Sequence, residues 1–169
     1  QRRRQIITAP AQVRSVGEAV FAAEDLLSIA KTQAESQLEE RNAREKAELM
    51  RQLGMEEGQS PASHQRARIR ELEEDQKRRS KRAIQDSLDR ALVDLLGIYR
   101  DVLLRQLGTD QEPINDDCLD LIDQLSSQST PQQTMKRVQA IEEARKRLTT
   151  NMSVPLILES MALSLRPQV

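Results

Sequence analysis

The stretch ALVDLLGIYRDVLLRQLG, residues 91–108, decides how this chain of 169 residues is read. It gathers aliphatic side chains around the one tyrosine of a sequence that is 31% charged, has one phenylalanine and lacks tryptophan. On a helix turning ~100° per residue, Ile84, Leu88, Leu92, Leu95, Leu96, Tyr99, Val102, Leu103 and Leu107 cover about half the circumference, and Val93 and Leu104 widen the arc. The polar strip left over holds Arg90, Asp94, Gly97, Asp101 and Arg105. So wide an apolar arc exceeds what one neighbouring helix covers, which makes this helix the centre of a bundle or a surface shared with a partner. Arg100 falls between Val93 and Leu104. An arginine so placed snorkels to water or pairs with a carboxylate, because an unpaired buried charge is costly. Arg100 is therefore the expected place for a buried ion pair, while Asp101 and Arg105 read as an exposed i,i+4 pair worth a few tenths of a kcal/mol.

The composition agrees with a helical reading. With aromatics at 1% the core must be aliphatic. Five glycines, six prolines and much Glu, Gln, Arg, Ala and Leu favour helices, since these unbranched side chains lose little rotamer freedom there. The fold class expected is all-α.

Patterning divides the chain. Ser15 and Glu18 form a capping box, after which Val16, Ala19, Val20, Ala23, Leu26, Leu27 and Ala30 recur at helical spacing. Beyond Ala30 the stripe thins to Ala34, Leu38, Leu49 and Leu53, and Gly54 is a natural stop. That predicts a helix of about 38 residues, some 57 Å long. GMEEGQSPAS, residues 54–63, has the composition of a linker, so the expected domains are 1–62, a long helix with a short preamble, and 63–169, a bundle of about four helices. A second long helix from about Gln65 to Leu107 changes character near Leu88. Asn115 is placed to cap a helix holding Cys118, Leu119, Ile122 and Leu125. Thr130, Pro131 and Gln133 open another, with a capping box and Met135, Val138, Ile141, Ala144, Arg145 and Leu148 on its face. Ser153 and Pro155 open the last, which is apolar nearly all round and so belongs in a centre or an interface; Leu163 and Leu165 join Arg100, Leu104 and Arg105 as candidate partner-interface residues.

Several function classes fall away. No phosphate-cradling loop, dinucleotide turn, HExxH, CxxC pair or nucleophile elbow is present, so no catalytic, cofactor-binding or metal-binding residue is assigned. Cys118 stands alone and reads as a small buried hydrophobe; His64 has no second ligand near it in sequence. No apolar run reaches the ~20 residues of a membrane helix, and the opening QRRRQIITAPAQV has too short an apolar stretch for a signal peptide. A cytoplasmic protein with no membrane and no small-molecule ligand is expected. Net charge is −1, but bases outnumber acids eight to four between His64 and Arg82. Such a run reads as a solvated helix face, and no aromatic platform for stacked bases accompanies it. The start at Gln1 without an N-cap is read as a point partway through a larger protein.

Taken in order, ALVDLLGIYRDVLLRQLG, INDDCLDLIDQLSSQST and AIEEARKRLTTNMSVPLILESMALSL resemble the C-terminal domain of bacterial DNA polymerase III clamp-loader subunits of the delta-prime type. The specific parts are Tyr99 to Leu104 and the IEEARxxLxxNxxxxLxLE run from Ile141 to Glu159. The charged lead-in RELEEDQKRRSKRAIQDSLDRALVDL looks like that of high-GC Gram-positive bacteria. The resemblance covers residues 66–165 well and 1–53 loosely, as the end of an AAA+ lid. It implies a helical collar through which subunits, delta and gamma or tau, are held in a pentameric ring that loads the sliding clamp in DNA replication, with DNA and clamp met only through the whole assembly. The Walker, arginine-finger and zinc-binding segments of the AAA+ module are absent from this sequence, so no enzyme activity is carried over to any residue. Two other readings are a free-standing helical or coiled-coil scaffold and a helical nucleic-acid-binding module; the first needs an unbroken heptad seam, and the stripe is expected to break at Gln76 and Arg79.

Overall fold

The computed structural model describes residues 2–55 and 60–167, apart from the side chains of residues 2–6. Among these residues the order is α1 (Arg2–Ala11), α2 (Val16–Gln52), α3 (Ser63–Gln106), a 3₁₀ turn (Asp116–Cys118), α4 (Leu119–Ser127), α5 (Pro131–Leu148) and α6 (Val154–Leu165). The all-α expectation holds. The preamble, to which the sequence assigned no element, contains α1; Ile7, Ala11 and Val13 are buried.

Local chemistry sets the ends of the helices. The Glu18 amide donates to Ser15 Oγ at 3.1 Å and the Ser15 amide donates back to Glu18 Oε2 at 3.3 Å, which is the expected capping box. Both long helices stop at a glycine with positive φ. At Gly54 (φ 63°) the glycine amide donates to Arg51 O and the Met55 amide to Met50 O; at Gly108 (φ 64°) the same pair of bonds runs to Arg105 O and Leu104 O. These are Schellman closures, which need a left-handed residue that only glycine adopts cheaply. Thr130 and Gln133 exchange the predicted bonds at 3.3 and 3.0 Å. Ser153 stands at the N-cap of α6, but its hydroxyl makes no capping bond.

The chain divides into two compact units, residues 1–29 with 88–169 and residues 30–87. The boundary expected at residue 62 falls inside the second of these units, where the described residues 53–55 and 60–62 lie between α2 and α3, and Glu56–Gln59 lie outside the described residues. What separates the units is apolar density. The α2 stripe thins after Ala30 and α3 gains its leucines from Leu88, so each long helix has one half fit for a core and one half that is not.

The first unit is a helical bundle whose core holds Leu88, Leu92, Leu95, Ile98, Tyr99 and Val102 from α3, Ile122 and Leu125 from α4, Ile141 and Leu148 from α5, and Ile157, Leu158, Met161 and Leu165 from α6. Val13, Ala19 and Ala22 pack with Ala162, and half-buried Leu163 rests on them. The small alanines allow the first turns of α2 to approach α6 closely, which ties the amino-terminal residues to this unit rather than to a domain of their own.

The second unit is a hairpin of the later part of α2 with the earlier part of α3. The apolar stripe breaks at Gln76 and Arg79, as expected, and a polar layer fills the seam there: Gln76 Nε2 donates to Asn42 O at 3.0 Å, and Arg79 Nη1 to Asn42 Oδ1 at 3.2 Å and Glu45 Oε2 at 2.9 Å. Arg41 adds a bond to Glu45 at 3.0 Å. The carboxyl of Glu45 is held down at about 2, chiefly by Arg79 and then by Arg41. A polar layer of this kind weakens a seam but fixes its register, since any slip strands its donors. Nearer the turn, Gln65 Nε2 donates to Leu53 O at 3.0 Å.

Candidate functional site

The polar strip of α3 is where the bundle departs most from the sequence reading. Asp101, expected at the surface, is 2% exposed. Its Oδ2 accepts from the Asn115 amide nitrogen at 2.9 Å and from Asn115 Nδ2 at 2.7 Å, while Oδ1 accepts from Arg100 at 2.9 Å. Asn115 is itself 2% exposed. It heads the 3₁₀ turn but makes no side-chain cap bond there, because its amide is turned to Asp101. Gly97, one helical turn before Asp101, leaves the room: a Cβ at that position would lie 3.3 Å from Asn115 Nδ2. The loop after α3 therefore folds back on the strip of α3 that has no bulky side chain. Two positions of the expected exposed strip, Gly97 and Asp101, are covered by Asn115 instead of water.

Arg100, expected to be buried, is half-exposed at 45%. The correction follows from Asp101: with the carboxylate on the loop side, the arginine reaches it from the solvent edge. Arg105 does not pair with Asp101 but crosses to Asp123 on α4 at 2.6 Å, with both side chains more than half exposed. Gln106, at the end of α3, is the real tie to the next elements. It donates to Ser129 O at 2.7 Å and accepts from Thr134 Oγ1 at 2.9 Å. On the far side of the bundle Arg145 forks onto Asp89 at 2.7 and 3.1 Å. That hydrogen-bonded guanidinium lowers the Asp89 carboxyl and the carboxylate raises Arg145. None of these pairs was legible in the sequence.

Of the five candidate interface residues, Leu165 is 1% exposed and belongs to the core, so it cannot meet a partner. Leu163 is half-buried against α2. Leu104 is half-buried and Arg100 and Arg105 are exposed. Around them α3 and the turn that closes it carry a stripe at i, i+3, i+7, i+11 and i+14: Val93 is 45% exposed, Leu96 and Leu104 are half-buried, Arg100 lies between them, and Leu107, just past the last residue of α3, is 59% exposed. This spacing keeps five side chains on one face of a helix. The part of the apolar arc that the bundle leaves uncovered is thus continuous over four turns.

Among the described residues no group of three side chains is placed to hold a metal ion, and no helix is long and apolar enough to cross a membrane. Cys118 is buried. Tyr99 is fully buried; its hydroxyl has no hydrogen-bond partner among the described residues, and burial pushes its pKa up to about 12.

Comparison with known proteins places this bundle. Residues 83–166 match the family described as DNA polymerase III, delta subunit, C terminal. A curated relative, DNA polymerase III subunit delta' of Bacillus subtilis (strain 168), is 40% identical over 72 residues, which are 43% of this chain and 22% of the relative. The chain thus matches less than a quarter of that relative's length. No solved structure matches. The matched span begins just before the apolar half of α3 and ends at the last turn of α6, so it coincides with the bundle's α3 to α6 and leaves α1, α2 and most of the hairpin outside it. Through residues 83–166 the chain belongs to the family described as DNA polymerase III, delta subunit, C terminal.

Proposed function

We propose that the chain is the assembly part of a delta-prime-type clamp-loader subunit, a non-catalytic helical collar that holds neighbouring subunits in place. Its partners in this reading are the delta and gamma or tau subunits in the cytoplasm, with sliding clamp and DNA reached only through the whole loader. The observation that carries the reading is the uncovered stripe of α3, Val93, Leu96, Arg100, Leu104 and Leu107, inside the very span that matches the family. Constitutive packing of such a stripe against a partner's helix needs no ligand and no chemistry. Aliphatic residues supply the buried area and Arg100 supplies direction, because a guanidinium within an apolar stripe accepts only a partner that offers an acceptor there.

The test is co-elution with purified delta and gamma subunits on size exclusion. The unaltered chain is expected to join them. Leu104→Asp is expected to abolish joining, and Arg100→Glu to weaken it at least tenfold, while far-UV dichroism of both variants stays that of the parent. A chain that elutes alone, or a Leu104→Asp variant that still assembles, refutes the assignment of this face.

A further inference from the structure

The uncovered stripe of α3 has the same spacing in both directions. Val93 and Leu96 stand seven and four residues before Arg100, and Leu104 and Leu107 stand four and seven after it. The helical path holds to the end of the stripe, since the Leu107 amide still donates to Leu103 O at 3.0 Å. Such a face suits a second copy of itself. In an antiparallel pair related by a twofold axis each contact is made twice. Val93 would lie across from Leu107 of the second copy and Leu96 across from Leu104, aliphatic against aliphatic. Only the centre does not suit, because Arg100 would lie across from Arg100.

The Arg100 side chain is 45% exposed, and its Nη1 donates to Asp101 Oδ1 at 2.9 Å. A guanidinium has more N–H donors than one such bond uses, so the others are left to water. The stripe offers them no acceptor: the neighbours of Arg100 on this face are Leu96, Leu103 and Leu104, all half-buried. The other oxygen of Asp101 is already taken by Asn115. Enclosing two such guanidiniums among aliphatic side chains strands their donors and opposes like charges.

We propose that Arg100 is the specificity-determining residue of this face: it bars pairing with a second copy and admits a helix that carries a carboxylate across from it. This role depends on the stripe being a docking face and adds what that face rejects. In the right complex the guanidinium keeps Asp101 at its edge while the partner's carboxylate takes its remaining donors. Selectivity then comes from the cost of the wrong complex as much as from attraction in the right one.

The chain itself supplies the probes. The parent alone is expected to sediment as a monomer. Arg100→Leu removes the mismatch at the centre and is expected to dimerise, with an association constant about a hundredfold above the parent's, tenfold for each guanidinium no longer enclosed. Leu104→Asp added to that variant should return it to monomer, which assigns the dimer to this face. Arg100→Glu provides a partner with a carboxylate at the centre. It should stay monomeric by itself and form a one-to-one complex with the parent, weakening as salt is raised. Near-UV dichroism of the buried Tyr99 checks that each variant keeps the folded bundle. No other subunit is needed, so the outcome is separate from co-elution with delta and gamma. An Arg100→Leu variant as monomeric as the parent, a dimer indifferent to Leu104→Asp, or no complex between the parent and Arg100→Glu overturns the proposal.

Discussion

Replacing Asp101 by alanine tests the polar node that fixes the loop after α3. The carboxylate accepts three hydrogen bonds, two of them from Asn115, and both residues are 2% exposed. Removing it strands the Asn115 backbone N–H and side-chain amide in the interior, at about 1–3 kcal/mol for each donor left unsatisfied. The bond from half-exposed Arg100 adds little. Relief of the carboxylate's own desolvation offsets part of the loss, which brings the expected destabilisation to about 3 kcal/mol. For a bundle of roughly a hundred residues that lowers the melting midpoint by about 15 °C.

Tyr99 makes the measurement specific. It is the one tyrosine, in a chain without tryptophan, and it is fully buried in the bundle core. Near-UV dichroism and tyrosine emission therefore report this unit, while the far-UV signal sums both units. Asn115→Ala keeps the backbone bond and loses only the amide, so it should cost about 2 kcal/mol. In the double variant the two losses should fall short of their sum by about 1–2 kcal/mol, as expected for residues in direct contact. A loss below about 1 kcal/mol for Asp101→Ala, or costs that add to within ~0.5 kcal/mol, would refute the node.

Glu45 makes the hairpin acid-sensitive. Its carboxyl is lowered from 4.5 to about 2 in the folded state, so its stabilising contribution is full above pH 4.5 and is lost as the pH falls towards 2; Glu45→Gln should flatten the far-UV acid transition in that window. Converting Asn42, Gln76 and Arg79 together to leucine should raise the hairpin's stability while loosening its register, visible as new pairings when cysteines placed across the seam are crosslinked. Arg145→Lys keeps the charge opposite Asp89 but loses the two-pronged bond. Since both side chains are partly exposed, the expected cost is only about 0.5–1 kcal/mol by urea midpoint.

The fold was largely legible because helices are specified locally. A capping box needs residues three apart, as at Ser15 with Glu18 and Thr130 with Gln133, and a Schellman stop needs one glycine at the right place, as at Gly54. The long-range pairs were hidden for the converse reason. Asp101 and Asn115 are fourteen positions apart and Asp89 and Arg145 fifty-six, and nothing in either neighbourhood encodes how the intervening turns bring them together. A wheel drawn on α3 alone places Asp101 correctly on the strip away from the leucines. It cannot say that this strip is roofed by a loop. The signal that could have been used is Gly97: a glycine within a helix costs about 1 kcal/mol against alanine, and its place one turn from an aspartate marks the close approach of another group, here the Asn115 side chain.

The division of the chain shows two sequence signals in competition. Glycine, proline and serine at residues 54–63 point to a linker, whereas apolar density changes at Ala30 and again at Leu88, positions that coincide with the division between the compact units. Density prevails because a unit is defined by what it buries, and a turn rich in breakers serves equally well inside a hairpin. The polar seam at Gln76 and Arg79 acts in the same way. Leucines at those positions would have extended an apolar stripe along the whole of α3 and left its register free to slide in steps of a heptad. Asn42, Glu45, Gln76 and Arg79 accept weaker packing in return for one register. They also interrupt the apolar surface before Leu88, so that the uncovered stripe from Val93 to Leu107 is separate from the hairpin seam and is the face on which the proposed partner helix would pack.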